Sequence, residues 1–403
     1  MKTSLENEFH PLSIKYMNQT ELSHRKKHGQ YFTPQSIREL LLSFLPQINS
    51  PVVLDPACGS GEFLLSASKK WKNPKLVGWE LESQLVKLAQ QINPSAIIKN
   101  IDTLQISTSQ KFDFIIGNPP YFEMKLSDSQ KSQFQDIVGG RMNIFSLFIK
   151  ISLDHLKEDG YLGFVVPPSM NNGAFFSNLR NFIINTAEIV KIKIISSPSI
   201  FSNAQQQVMI LILKKQKNTG KYLFRKNGIA IFTPNKSKLL EAYKGKSTLF
   251  EQGFSVKTGS IVWNNNKKKL TNSAQNNQLL IWAHNLADGK LVLHNSPKPQ
   301  YIISEQVESG PVILVNRVTG TSSQAKIRAV FVPKSTRFLA ENHVNIINPP
   351  AQINGKKVSV RLLKSIAKQI SSDENCQLIK LITGNTQLSK NELWKLIPLD
   401  FSD

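Results

Sequence analysis

Residues 113–122, DFIIGNPPYF, carry the side chains best suited to chemistry. An exocyclic amine on a nucleobase is a poor nucleophile because its lone pair is delocalised into the ring. An enzyme acting on it should turn both N–H groups onto acceptors and hold the lone pair toward an electrophile. Asn118 can supply a side-chain carbonyl oxygen, and Pro119 a backbone carbonyl with no competing N–H of its own. Tyr121 then offers a flat surface on which a base can stack. The same four letters also fit an ordinary Asn-Pro turn with a tyrosine packed beneath it, so the neighbouring elements must decide.

Those elements read as an alternation of strands and helices. The apolar run Phe112 to Ile116 predicts a buried strand, ended by Gly117, Pro119 and Pro120, which places Asn118 and Tyr121 where open α/β sheets bind ligands. Upstream, a strand over residues 51–54 runs into DPACGSGEF, where Gly59 and Gly61 allow a turn and a close backbone approach. This is not the G-x-G-x-x-G fingerprint, and Asp55 would repel a pyrophosphate; the turn suits a nucleoside that carries a cationic group. A second strand, 76–79, ends at Glu80, placed to accept the hydroxyls of a ribose. A third, 96–99, leads to Asn100 and Asp102, whose carboxylate can accept from an adenine amino group. Each acidic residue alone could be a helix cap or a surface charge. Four consecutive strand ends supplying Asp55, Glu80, Asp102 and Asn118 favour a nucleoside site. Ahead of them, GQYFTP reads as a loop with Thr33 as N-cap and Pro34 as first helical residue, able to offer N–H groups and the Thr33 hydroxyl to a carboxylate.

After the central loop, a helix over 141–151, a strand over 161–166, a helix from about Phe175 and strands over 190–195 and 208–213 are predicted. Phe201 stands in a polar stretch before the last strand; it either covers the second face of a base or anchors its loop in the core.

Composition bounds the rest. With 403 residues, 40% of them hydrophobic, the chain can bury a large core in two or three domains. The net charge is +22, unevenly spread: residues 1–200 hold 21 basic and 17 acidic residues, residues 201–403 hold 29 and 11. The second half is therefore the part to meet a polyanion. Two cysteines, Cys58 and Cys376, make no disulfide framework, no apolar run approaches membrane-spanning length, and no signal peptide is apparent, so a cytoplasmic protein with no membrane association is expected. No zinc spacing appears and no metal is expected. Neither cysteine follows a proline, which removes the nucleophile for attack on cytosine C6. Asp113, Glu123 and Lys125 superficially resemble a metal-nuclease pattern but surround the NPPY loop.

Taken in order, GQYFTP, DPACGSGEF, VGWELES, the NID of residues 100–102, IIGNPPY, GRMNIF and the Phe201 loop resemble the site-specific DNA adenine-N6 methyltransferases of restriction-modification systems, in the gamma arrangement. The resemblance covers roughly residues 28–215. It implies an α/β, S-adenosylmethionine-dependent methyltransferase fold, a seven-stranded and mostly parallel sheet with an antiparallel last strand, and base flipping. Carried over, Thr33 lies near the methionine carboxylate and Asp55 and Ala57 beside the methionine end, with Gly59 and Gly61 in the same cofactor loop. Glu80 takes the ribose, Asp102 the cofactor adenine, and Pro120 borders the cofactor. Asn118 and the Pro119 carbonyl hold the target amine, and Tyr121 and Phe201 sandwich the base. The product is S-adenosylhomocysteine, the substrate double-stranded DNA, the companion a separately encoded restriction endonuclease, and the expected state a monomer. An RNA guanine-N2 or a glutamine-amide methyltransferase would use the same loop, and a silent DNA-binding subunit would keep it without transfer.

The domains are expected at 1–28, a basic arm; 29–245, the catalytic domain with a basic linker from 214 along the substrate side; and 246–403, a mainly β target-recognition domain with a closing helix near 361–370. Lys214, Lys215 and Lys217 are candidate phosphate contacts, and Arg317 and Arg328 (with Arg337) candidate base readers.

Overall fold

The computed structural model of the chain describes residues 8–27, 29–140, 142–195, 207–287, 289–293, 296–317, 326–383 and 388–402. The chain divides into two units, Met1–Leu223 and Phe224–Asp403.

The first unit is built on a seven-stranded sheet: β1 Val52–Asp55, β2 Lys75–Glu80, β3 Ile97–Asn100, β4 Phe112–Gly117, β5 Leu156–Val166, β6 Glu188–Ile195 and β7 Val208–Lys214. Their order is β3-β2-β1-β4-β5-β7-β6. The first five are parallel, and β7 runs antiparallel to both neighbours, Met209 opposite Val166 and Lys214 opposite Tyr161. The fold is the α/β methyltransferase fold that the family resemblance implies. Parallel strands covered on both faces need continuous apolar runs, and Phe112, Phe114, Ile115 and Ile116 of β4 are all buried. Helices α3 Gln35–Ser43 and α4 Glu62–Lys70 pack Ile37, Leu41, Phe63 and Leu64 into one core with Phe114, Ile116 and Ile210. Trp71 closes it by stacking on Phe114, ring centroids 4.3 Å apart. Asp113, at the amino end of β4, accepts from the Val52 N–H (2.8 Å) and pairs with Lys157 (2.8 Å), a structural duty remote from Glu123 past the other strand end.

Residues 8–27 differ from the expected arm. They form α1 Pro11–Gln19 and α2 Leu22–Lys27, with Phe9, Ser13 and Tyr16 buried. Phe9 and Tyr16 pack on Phe32 of GQYFTP, ring centroids 6.3 and 6.1 Å away, and Ser13 Oγ donates to Ser60 Oγ (2.9 Å) in the glycine loop. Two aromatics in a polar stretch suffice because their partner is a third aromatic downstream.

In the second unit, residues 224–245 contribute to a hairpin, Leu223–Lys226 with Ile229–Phe232, and the helix Lys236–Ala242; Phe224, Ile231 and Leu239 share a core with Ile382 and Leu396. A four-stranded sheet joins β8 Ser255–Thr258, β10 Val312–Asn316, β11 Ala329–Val332 and β13 Val344–Asn348 in the order β8-β13-β10-β11. A five-stranded sheet is built around β9 Gln278–Ile281 and β12 Arg337–Ala340. The unit is largely β, as the short strand-like pieces predict. It closes with three helices, Val360–Ile370, Asp373–Thr383 and Lys390–Leu396, where the sequence reading gave one. No helix among the described residues is long and apolar enough to cross a membrane.

Candidate active site

The carboxyl ends of β1 to β4 surround a cavity of about 550 Å³, lined by Thr33, Asp55, Ala57, Gly59, Glu80, Asp102, Asn118 and Pro120 among others. Eight of the predicted site residues thus meet at one place. Gly61, the N-cap of α4, needs its positive φ of 85°, and a Cβ there would strike Asn93 Nδ2. Gly59 (φ 53°) has nothing within 4 Å of where its Cβ would stand, leaving the backbone open to a ligand.

Asp55, at the end of β1, is 1% exposed and accepts the Ala57 N–H at 3.1 Å. Burial pushes its carboxyl up to about 8, Glu80 adding to the rise and the Ala57 N–H opposing it. The carboxyl lies against the end of β4, where a Cβ on Gly117 would come within 2.6 Å of Asp55 Oδ1. Glu80 has one oxygen on the Gly59 N–H (2.9 Å) and the other on the Glu82 N–H (2.9 Å), which fixes the carboxylate plane. Burial raises its pKa as well, and those two N–H groups restrain the rise. Asp102 caps the turn Thr103–Gln105, accepting from the Leu104 N–H and from Gln105 Nε2, both at 2.9 Å. The cap reading holds for Asp102, and the residue lines the cavity all the same.

Asn118 is held from both ends. Its Nδ2 donates to Thr33 Oγ1 (3.0 Å) and to the Tyr31 carbonyl (3.2 Å), and its Oδ1 accepts from the Tyr121 hydroxyl. That hydroxyl also lies 2.8 Å from the Val165 carbonyl at the end of β5. Burial raises the Tyr121 phenol well above its ordinary value, so it is a neutral donor. Its ring meets Phe145 edge-on and lies within 15° of parallel to Tyr31, centroids 6.3 Å apart. Among the described residues no donor takes the Pro119 carbonyl.

Thr33 does not cap a helix as the Thr-Pro pattern predicts. Pro34 is the N-cap of α3, and the Thr33 hydroxyl serves Asn118 instead. Tyr31 was not singled out by the sequence reading; an aromatic beside a Thr-Pro pair gives no signal until the fold brings it to Tyr121. Phe201 lies outside the described residues.

The basic candidates separate. Lys214 and Lys215 were expected along the substrate side, but β7 is antiparallel, so its end lies at the amino ends of the parallel strands, away from Asn118. There Lys214 pairs with Asp159 (2.7 Å) and Lys215 with Glu158 (3.4 Å); Lys217, two residues on, is exposed. In the second unit, Arg317 and Arg328 come together at one end of the four-stranded sheet. The Asn316 N–H donates to the Arg328 carbonyl (3.1 Å) and the Arg317 N–H to the His343 carbonyl (2.8 Å), so Arg317, Arg328 and His343 flank the ends of adjacent strands. Arg337 begins β12 in the other sheet.

Comparison with known proteins places this geometry. The profile of the N-6 DNA Methylase family matches residues 15–286. The Type II methyltransferase M.CvrRI of Paramecium bursaria Chlorella virus XZ-6E is 26% identical over 396 residues, 97% of this chain and 99% of that one. The modification methylase CviBIII of Paramecium bursaria Chlorella virus NC1A is 25% identical over 385 residues, 93% of this chain and 94% of that one. The Type II methyltransferase M.HincII of Haemophilus influenzae is 30% identical over 197 residues, 47% of this chain and 38% of that one. With a methyltransferase sheet, a carboxylate-bearing cavity at its strand ends and a family profile spanning most of its length, the chain belongs to the N-6 DNA methylase family.

Proposed function

We propose that the chain transfers the methyl group of S-adenosylmethionine to the N6 amino group of an adenine flipped out of a specific double-stranded DNA sequence, releasing S-adenosylhomocysteine. In this reading it acts as a cytoplasmic monomer and protects that sequence from a separately encoded restriction endonuclease. The observation that carries the reading is the orientation of Asn118: with Nδ2 committed to two acceptors, the carbonyl end is the one left to receive an amine.

The cavity suits this cofactor by its own chemistry. A buried carboxyl at Asp55 whose pKa is pushed up to about 8 calls for a cation, which the ammonium of a methionine end provides. Asp55 and Ala57 would hold that end, Thr33 its carboxylate, Glu80 the ribose and Asp102 the adenine, with Gly59, Gly61 and Pro120 bordering the ligand. When bound, S-adenosylmethionine supplies a methyl group on a sulfonium, an electrophile strong enough for a weak amine. Asn118 Oδ1 and the Pro119 carbonyl accept the two N6 hydrogens and stabilise the positive charge that develops on the nitrogen. A carbonyl oxygen has two lone pairs, so Oδ1 can keep the Tyr121 hydroxyl while it receives the amine.

Tyr121 gives the base one face, and Phe201 the other. Tyr121→Ala is expected to diminish the fluorescence rise of a 2-aminopurine at the target position, at a cost of about 1–3 kcal/mol for one lost stacking partner. An unchanged response on saturated complex, with native thermal stability, would assign the ring to packing alone.

For the second unit, Arg317 and Arg328 are proposed as base readers. Replacing either with Ala should cost about 1–3 kcal/mol on the specific duplex and relax preference at one base pair, seen by anisotropy on matched and single-mismatch duplexes. Their placement makes Lys214, Lys215 and Lys217 poor phosphate contacts. Changing all three to Gln should leave the log–log salt dependence of binding within about one phosphate equivalent of wild type, whereas three contacts would remove roughly 2.7 from the slope.

The test of the whole reading is methylation of a plasmid library followed by mapping of the modified bases, with an RNA arm in parallel. N6-methyladenine in one sequence context is expected. Label in RNA and none in DNA overturns the proposal.

A further inference from the structure

The amide of Asn118 has two chemically opposite ends, and only one can receive an amine. Rotated by half a turn, it would point a donor at the N–H group it has to accept, and its oxygen would face the Tyr31 carbonyl, acceptor against acceptor. Something must therefore choose the rotamer. Tyr31 contributes a backbone oxygen at 3.2 Å, and Thr33, a residue only 4% exposed, a hydroxyl oxygen at 3.0 Å. The loop that carries both is itself fastened, because the Thr33 carbonyl accepts from Arg38 Nη1 (2.5 Å) and Arg38 pairs with Glu62 (2.9 Å). Thr33 is buried, so water does not readily replace its hydroxyl oxygen as the partner of Nδ2.

We propose that Thr33 is a positioning residue for methyl transfer: its hydroxyl oxygen, together with the Tyr31 carbonyl and with the Tyr121 hydroxyl on Oδ1, selects and holds the Asn118 rotamer that presents Oδ1 to the target amine. This goes beyond contact with a cofactor carboxylate, and it rests on the reading of Asn118 as the amine acceptor. Accepting from Asn118 leaves the hydroxyl its own proton, so the two duties are compatible. A residue that acts only through Asn118 has an effect that vanishes when Asn118 is removed.

The experiment is a double-mutant cycle in the full-length protein, read by single-turnover methyl transfer at saturating S-adenosylmethionine and DNA, with the cofactor dissociation constant measured separately. Thr33→Val deletes the oxygen and keeps the branched shape; Thr33→Ser keeps the oxygen. Thr33→Val is expected to slow transfer about tenfold, Thr33→Ser to stay within twofold of wild type, and Thr33→Val to add less than twofold in the Asn118→Ala background. Transfer by Thr33→Val within twofold of wild type overturns the proposal, as does an equal loss in both backgrounds, which is the signature of a cofactor contact alone. If a thermal melt shows Thr33→Val unfolded, Thr33→Ala carries the same expectations. Asn118→Ala at the wild-type rate would be a different failure, that of the amine-acceptor reading itself.

Discussion

Asn118→Ala is expected to cut single-turnover methyl transfer at least a hundredfold, the scale on which one pre-placed polar group acts in a transition state. The loss should fall on the chemical step. Asn118 stands at the end of β4, where its backbone is fixed by the sheet and by Pro119, so truncation removes an acceptor without moving the Pro119 carbonyl. Cofactor and DNA affinities should both stay within a few-fold. The Tyr121 hydroxyl loses one partner but retains the Val165 carbonyl at 2.8 Å, which keeps its ring in place. Rapid-quench transfer of a labelled methyl group gives the rate; a value within threefold of wild type would sink the assignment.

The second large effect is on cofactor binding and its dependence on pH. Asp55 titrates near 8 in the ligand-free protein, so around neutrality its carboxyl is mostly protonated. A bound cation favours the carboxylate and lowers that pKa, so binding below pH 8 releases a proton. Affinity for S-adenosylmethionine should then rise with pH, by up to about tenfold per unit, until the ligand's own ammonium begins to deprotonate near pH 8. Asp55→Asn should abolish the rise and weaken binding by about a hundredfold at pH 8, the scale of stripping a buried charge of its partner, about 3 kcal/mol. The sign for stability is opposite. The unfolded carboxyl ionises near pH 4 and the folded one near 8, so the ligand-free protein loses stability as pH climbs through that window, and Asp55→Asn removes the slope. Calorimetric binding across pH 6 to 9, with melts of the free protein, reads both; a flat affinity profile would place the cation elsewhere.

How far the residues announced this site depends on whether the signal was local. The NPPY loop was legible because a fully buried apolar run and two prolines leave one place for Asn118, the carboxyl end of β4. Asp55, Glu80 and Asp102 were legible because each follows a short strand in an alternating pattern. Thr33 was misread as a cap, since its real partner is 85 residues further along and no periodicity reports a side-chain pair that distant. Lys214 and Lys215 counted as free charge until the antiparallel β7 brought them beside Asp159 and Glu158. Tyr31 and the packing of Phe9 and Tyr16 on Phe32 were invisible for the same reason.

The buried arginine at position 38 limits how this protein can drift. Its planar guanidinium donates through Nε to Ser66 Oγ (2.9 Å) and through Nη1 to the Thr33 carbonyl, and its Nη2 forms an ion pair with Glu62 (2.9 Å). Glu62 in turn accepts the His10 N–H at 2.8 Å. A lysine has a single nitrogen and cannot serve three diverging acceptors at once, so the most conservative replacement by charge is a poor one by shape. Nor can Glu62 change first, because that would strand the arginine's charge in the interior. A lineage can leave this arrangement only by altering both residues together, so variation among descendants should collect in the rest of the helices around them while this pair stays fixed.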